Sequence, residues 1–275
     1  MELYNTTNLL CSKLITNRYS TSFSLGIKSL DSKYRMSVYA IYGFVRFADE
    51  IVDTFHDSDK ECLLKEFKNE TYLAIERKIS LNPVLHSFQL VVNKYGIERE
   101  LIDAFLDSMW ADLTDKEHDH SSYNTYIYGS AEVVGLMCLR VFCEGNNVQY
   151  LSLKPFAQKL GAAFQKVNFL RDVQSDFQER GRVYFPGVNF TRFSSEAKSL
   201  IENDIEQDFV ASLEGIKKLP SGSRFGVYLA YIYYRSLFRK IKNMPVARIQ
   251  TERIRIPDQQ KFILFVQSWL KYKFI

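Results

Sequence analysis

Apolar residues recur every three to four positions along almost the whole chain, and helix-breaking residues are rare, with 12 glycines and 6 prolines among 275 residues. A chain of this kind has to bury helical faces against one another, and it lacks the turn residues that a sheet fold consumes. The spacing predicts helices at about 4–17, 33–55, 59–79, 84–94, 98–114, 123–143, 151–178, 195–217, 222–243 and 258–272. Punctuation agrees with several of these limits. Asp31-Ser32 can cap the second helix, Pro83 opens the fourth and Gly96 ends it. Ser121-Ser122 opens the sixth, Gly145 closes it, and Gly181 interrupts the chain after Arg180. The one extended-looking stretch, Arg182-Val183-Tyr184-Phe185-Pro186-Gly187, reads as an ordered loop. With no linker, repeat or low-complexity run, a single all-α domain spanning 1–275 is the simplest architecture: a helical bundle around a central cavity.

Charge narrows the partners. A net +4, from 36 basic and 32 acidic residues, suits anionic ligands or an anionic membrane surface. It is too small for the concentrated basic patch of a nucleic-acid binder. Cys11, Cys62, Cys138 and Cys143 form no CxxC pair and read as reduced core thiols of a cytoplasmic protein. No leader pattern opens the chain, and no unbroken apolar run reaches the ~18–20 residues of a bilayer span. The apolar stretch 262–275 is interrupted by Gln267, Lys271 and Lys273, so it reads as a segment that can touch a membrane peripherally without crossing it.

Two helices carry the chemistry. In the segment 39–55, Ile41, Phe44, Val45, Ala48, Val52 and Phe55 share one arc, a core face. Tyr42, Arg46, Asp49 and Asp53 share a second arc roughly 110° away. Asp49 and Asp53 stand one turn apart, a separation at which two hard oxygen ligands hold Mg²⁺ together with phosphate oxygens. Arg46 offers a fork to phosphate. Taken alone, the row reads first as a solvated acidic face with an Arg–Asp pair.

The segment 164–176 repeats the device. Gln165, Asn168, Asp172 and Asp176 fall within about an 80° arc, with Phe156, Leu160, Ala163, Phe164, Val167 and Leu170 on roughly the opposite side. The row is made of short amides and acids, whereas the chain's ordinary polar faces are rich in Lys and Glu. Arg171, Arg180 and Arg182 bring positive charge close by. Two such helices in one chain favour a metal–diphosphate site over two unrelated acidic faces.

These residues resemble the squalene and phytoene synthases. Tyr39-Ala-Ile-Tyr-Gly-Phe-Val-Arg46 followed by Asp49-Glu-Ile-Val-Asp53 looks like the family's first aspartate-rich motif. Gln165-Lys-Val-Asn168-Phe-Leu-Arg171-Asp172-Val-Gln-Ser-Asp176, followed by Gly181-Arg182-Val-Tyr184-Phe-Pro186, looks like the second and is highly specific. Further matches are Ser20-Thr-Ser22-Phe23, Tyr126-Ile-Tyr128-Gly-Ser-Ala131 through Gly135-Leu-Met, and Arg253-Ile-Arg255-Ile-Pro257, so that the likeness covers about 20–265. Tyr19 departs from the pattern, since relatives usually carry His before the first serine.

The resemblance implies the helical isoprenoid-synthase fold and head-to-head joining of two prenyl diphosphates. By the same resemblance, Asp49, Asp53, Asp172 and Asp176 would hold Mg²⁺ (Mn²⁺ being an alternative), and Asn168 would join them. Tyr126 and Gln165 would line the reacting centre, together with Tyr234. Arg46, Arg171, Arg182 and Arg253 would bind phosphate, with Tyr184 beside them, and Ser20, Ser22 and Phe23 would flank the ionising substrate. Within the family the leading expectation is a phytoene synthase, which uses two geranylgeranyl diphosphates and no NADPH. A squalene or dehydrosqualene synthase acting on farnesyl diphosphate is the runner-up. A non-catalytic scaffold and a one-substrate terpene cyclase are competing classes, and oligomeric state is left open. Small residues at Gly129, Ala131, Gly135, Gly161, Ala162 and Ala163 serve either close helix packing or a channel for prenyl tails. Phe105, Tyr228 and Tyr231 are expected in the core.

Overall fold

In the computed structural model the described residues, 1–114, 119–178, 182–186 and 193–272, form helices joined by short connections, with no strand among them. The helices are α1 (Glu2–Tyr19), α2 (Thr21–Lys28), α3 (Ser32–Asp53), α4 (Lys60–Arg77), α5 (Pro83–Tyr95), α6 (Arg99–Thr114), α7 (His120–Ile127), α8 (Val133–Cys143), α9 (Asn147–Gln178), α10 (Ser195–Lys218), α11 (Ser221–Lys242), α12 (Val246–Ile249) and α13 (Asp258–Tyr272). Arg180, Gly181 and Gly187, and the chain beyond Tyr272, lie outside the described residues.

Local chemistry explains most boundaries. Asp31 accepts the Lys33 amide at 3.1 Å to cap α3, and Asn82 caps α5 with Pro83 in its first turn. Gly96 ends α5 in the left-handed region at φ 64. Asp119, rather than Ser121-Ser122, caps α7, accepting the Ser122 amide at 2.7 Å. Two short helices, α2 and α12, were not expected. Ser20 starts α2 by accepting the Phe23 amide, and Gly26 lets α2 lie against α11, where a Cβ on Gly226 would meet the Gly26 carbonyl at 2.7 Å. Tertiary packing, more than propensity, makes this segment helical. Helix α3 stops at Asp53, so Phe55 is exposed instead of completing the core face.

The expected helix 123–143 is interrupted by a π-helical turn, Tyr128–Glu132. On one side a Cβ on Gly129 would meet the Ala104 carbonyl of α6 at 2.4 Å. On the other, a Cβ on Gly161 of α9 would meet the Ala131 carbonyl at 2.7 Å. Only glycine permits either approach, and the widened turn carries Ser130 and Ala131 inward. By length and composition the stretch His120–Cys143 could cross a membrane, contrary to the reading that no run qualifies. More than half of its most apolar 18-residue window is buried inside the protein, so it is a core element.

Two apolar clusters stabilise the bundle. The first joins α3, α5, α6 and α8, with Phe44 stacked on Phe88 at 3.8 Å and Phe105 beside them. The second joins α7, α9, α10 and α11 and includes Tyr228 and Tyr231. Lys166, itself buried, pairs with buried Asp208 at 2.7 Å and fixes the rotation of α9 against α10. Cys143 is buried and Cys11 and Cys138 are half-buried, but Cys62 is exposed on α4, which corrects its reading as a core thiol.

Candidate active site

A cavity of about 320 Å³ lies at the seam of the two clusters, walled mainly by α2, α3, α8, α9, α10 and α11 and by the π turn. Its lining is apolar over most of its length and includes Ile41, Val134, Leu153, Phe156, Ala157 and Leu160. At one end it becomes polar, where Gln165, Asn168, Tyr42 and Tyr234 meet. Of the small residues, Ala131, Gly135 and Gly161 line this space, while Ala162 and Ala163 belong to the core and Gly129 serves the α6 approach. Phe156, Leu160 and Phe164, expected opposite the polar row of α9, also face the cavity.

Both acidic rows begin at that polar end. On α3, Tyr42 lines the cavity, and Arg46, Asp49 and Asp53 continue the same face turn by turn. On α9, Gln165 and Asn168 line it, and Asp172 and Asp176 continue outward. The aspartates stand beyond the cavity's polar end and do not form its lining.

Arginines meet the side chains of Asp49, Asp53 and Asp172 and the backbone of Asp176. Arg46 pairs with Asp49 at 2.5 Å and also with Glu50. Arg171 clasps Asp172, and Arg253 reaches the same carboxylate at 2.7 Å from the segment after α12. Arg182 spans the two helices: its backbone N–H donates to the Asp176 carbonyl at 2.8 Å, and its guanidinium meets Asp53 at 3.0 Å. The rows therefore converge on one place from two helices far apart in sequence. The Arg46 guanidinium also lies 4.4 Å from the Tyr19 ring centre, so the residue that departs from the family pattern makes a cation–π contact with a candidate phosphate ligand.

One participant is invisible in the motifs. Asp112 on α6, its side chain 5% exposed, accepts the Tyr126 hydroxyl at 2.9 Å and the Tyr184 hydroxyl at 3.2 Å. Its backbone carbonyl accepts Arg182 at 2.9 Å. Nothing in the sequence singles it out from Glu100, Asp103 and Asp107, the other acids of α6. Tyr126 and Tyr184 thus share one anchor, and the Tyr184 ring stacks on Phe169 at 4.1 Å. Burial pushes the Asp112 carboxyl up to about 7, against the opposing pull of Arg182 and of the Tyr126 hydrogen bond. An unfolded Asp titrates near ~3.9, so the folded protein keeps this proton to higher pH than the unfolded chain does. The contribution of Asp112 to stability accordingly falls as pH rises between about 4 and 7. Between about pH 5 and 8, the melting temperature of the wild type should fall relative to that of Asp112→Asn, and a constant difference would contradict the shift.

Tyr234, for which the sequence match is weak, donates to Asn168 at 3.2 Å and stacks on Phe164 at 3.9 Å, with Phe23 5.9 Å away. Ser20 caps α2 and contacts the Tyr42 hydroxyl, which burial pushes up to about 12 despite nearby Arg46. Ser22 is half-buried in the first turn of α2.

The donor set fits magnesium. No group of three or more His, Cys, Asp or Glu side chains gathers into one ligand set among the described residues. Mg²⁺ usually takes only one or two protein carboxylates and completes its shell with phosphate oxygens and water, which suits acids arranged in pairs. The buried Nε of Arg46 has no hydrogen-bond partner, so a donor stands ready for an anion beside Asp49.

Comparison with known proteins identifies the family and the fold. The chain is 24% identical over 284 residues to a phytoene synthase of Arthrospira platensis, covering 94% of this chain and 91% of that one. It is 25% identical over 196 residues to a 4,4'-diapophytoene synthase of Staphylococcus haemolyticus, covering 69% and 66%. The fold matches that of a dehydrosqualene synthase solved with a ligand, with a TM-score of 0.82 at 22% identity over 98% of each chain. Residues 16–260 match the squalene/phytoene synthase family as a whole, and the chain belongs to that family of head-to-head prenyltransferases.

Proposed function

We propose that this chain is a phytoene synthase, joining two geranylgeranyl diphosphates through the cyclopropyl prephytoene diphosphate to phytoene. The observation that carries the reading is the long apolar cavity ending at Gln165 and Asn168, directly below the acidic rows. Its lining follows α9 from Leu153 to Asn168, about 22 Å at 1.5 Å per residue, a depth suited to a long polyprenyl tail. The match to a phytoene synthase along nearly the whole chain supports the same choice.

The chemistry begins when an allylic C–O bond breaks and its electron pair leaves with the diphosphate. Magnesium, which Asp49, Asp53, Asp172 and Asp176 would hold, supplies Lewis-acid neutralisation of that leaving group. Arg46, Arg171, Arg182 and Arg253 bind phosphate oxygens, each now resting on an aspartate that a bound substrate would free it from. Gln165 and Asn168 orient the reacting end. Phe23, Tyr42, Phe164 and Tyr234 present ring faces to the allylic cation, each worth about 0.5–2 kcal/mol. The apolar walls exclude water, which would otherwise quench the cation to an alcohol.

The second reading is a farnesyl diphosphate enzyme making dehydrosqualene or squalene. It is favoured by Phe142 and Phe156, bulky rings that narrow the lining away from its polar end. Incubation with each prenyl diphosphate, with and without NADPH, followed by product mass, separates the two. Phytoene formed without NADPH is the expected product. Thirty-carbon products alone would overturn the choice in favour of the farnesyl reading. Ala157→Phe, which fills the lining, is expected to lower turnover of the longer substrate relative to the shorter by roughly 10–200-fold, and an unchanged ratio would place the tail elsewhere.

A further inference from the structure

The two arginines that meet the α3 aspartates each rest on a second carboxylate outside the acidic rows. Arg46 pairs with Asp49 through one terminal nitrogen and with Glu50 through the other. Arg182 donates to Asp53 at 3.0 Å and lies 3.6 Å from the Asp112 carboxylate. The two partners of Arg182 differ in how firmly they are held. Asp53 ends α3 with its side chain 21% exposed, whereas that of Asp112 is 5% exposed. Both Asp112 oxygens accept the Tyr126 hydroxyl at 2.9 Å, and one also accepts the Tyr184 hydroxyl at 3.2 Å. The Asp112 carbonyl accepts the same guanidinium at 2.9 Å, so backbone and side chain of one residue both hold Arg182.

Pairing with Arg182 and holding a metal ion are competing duties for Asp53. A carboxylate that neutralises a guanidinium is available to a metal only in the fraction of molecules where that pair has opened. The apparent metal affinity falls by the same fraction. Opening the pair would be costly if it left the largely buried Arg182 without a counter-charge. Asp112 supplies a negative charge that stays. Its hydrogen bonds from two tyrosines keep the carboxylate in place, and the guanidinium already lies within ion-pair reach of it.

We infer that Asp112 is a positioning residue of this site, retaining Arg182 when Asp53 turns to magnesium. Arg182 then exchanges the Asp53 carboxylate for a phosphate oxygen without losing its place between the two helices. Asp112 acts through Arg182 and not on the metal directly. The inference rests on the diphosphate site proposed above and is indifferent to the length of the prenyl tail.

The test is thermal unfolding with a prenyl thiodiphosphate, which does not turn over, while magnesium is raised. At pH 8, above the value of about 7 to which burial pushes it, Asp112 carries its charge. The readout is the magnesium concentration that gives half of the rise in melting temperature. Asp112→Asn keeps an acceptor for the tyrosine hydroxyls and removes the charge. It should raise that concentration about tenfold, with a rise at saturating magnesium close to that of the wild type. Asp112→Ser, smaller and equally neutral, is measured beside it and should move the midpoint in the same direction. In the Arg182→Gln background, adding Asp112→Asn should leave the midpoint where it is, since no guanidinium then competes for Asp53. A normal wild-type rise with a midpoint that neither Asp112 variant moves would overturn the inference and leave Asp112 a packing role. An equal displacement with and without Arg182 would also overturn it, by making the Asp112 charge act on the metal itself. A wild type with no magnesium-dependent rise would instead remove the diphosphate reading, and this role of Asp112 with it.

Discussion

Asp172→Asn is expected to lower turnover by about 10²–10³-fold while the fold stays intact, the usual cost of removing one preorganised electrostatic contact to the charge that develops in the transition state. Asparagine keeps the shape and one acceptor oxygen but not the negative charge. Asp172 is where the second acidic row meets two cations, Arg171 at 3.0 Å and Arg253 at 2.7 Å. Without its charge, two guanidinium groups face each other unbalanced, and a cation that bridges to phosphate loses a ligand. Arg253 is exposed, but Arg171 and Asp172 are largely buried, so some loss of stability accompanies the loss of rate. Steady-state kinetics beside circular dichroism makes the check. Turnover within threefold of the wild type, with normal helicity, would remove Asp172 from the site.

Arg182→Gln is expected to damage stability as well as rate. This guanidinium touches Asp53 at 3.0 Å, Asp112 at 3.6 Å and the Asp112 carbonyl at 2.9 Å. Its own backbone ties to the end of the α9 row. Removing one partner of a buried ion pair typically costs about 3–5 kcal/mol, because the other charge stays buried and uncompensated. For a chain of this size, that is a fall of roughly 10 °C in melting temperature. Adding Asp112→Asn should restore part of the loss, since the more buried of the two carboxylates that Arg182 faces is then neutral, and the double variant separates pairing from packing. A melting temperature unmoved by Arg182→Gln would mean that Arg182 does not hold the two helices in register.

The fold class and the two acidic rows were legible because their signals are local. Helical period sets the faces, and carboxylates four residues apart have to stand one above the other. Asp112 was not legible, because its weight comes from Tyr126 and Tyr184, which reach it only after the chain has folded. Helix α2 escaped notice for a related reason: it is eight residues long and contains Gly26, and its contact with Gly226 of α11 is what justifies it. Tyr234 shows the reverse case: the sequence around it matches weakly, and folding brings its hydroxyl to Asn168 at the polar end of the cavity. Cys62 and Phe55 lie at or near the ends of their helices, where periodicity says least about exposure.

Whether both rows act on a single ligand can be read from thermal unfolding with a non-hydrolysable prenyl thiodiphosphate, with and without magnesium. At about 100 times its dissociation constant, a ligand bound only by the folded state adds about 2.7 kcal/mol, a rise of roughly 5–10 °C. That rise should require both analogue and metal, and it should vanish in Asp53→Asn on α3 as fully as in Asp172→Asn on α9. A rise that ignores magnesium, or that survives loss of either aspartate, would contradict a shared diphosphate site.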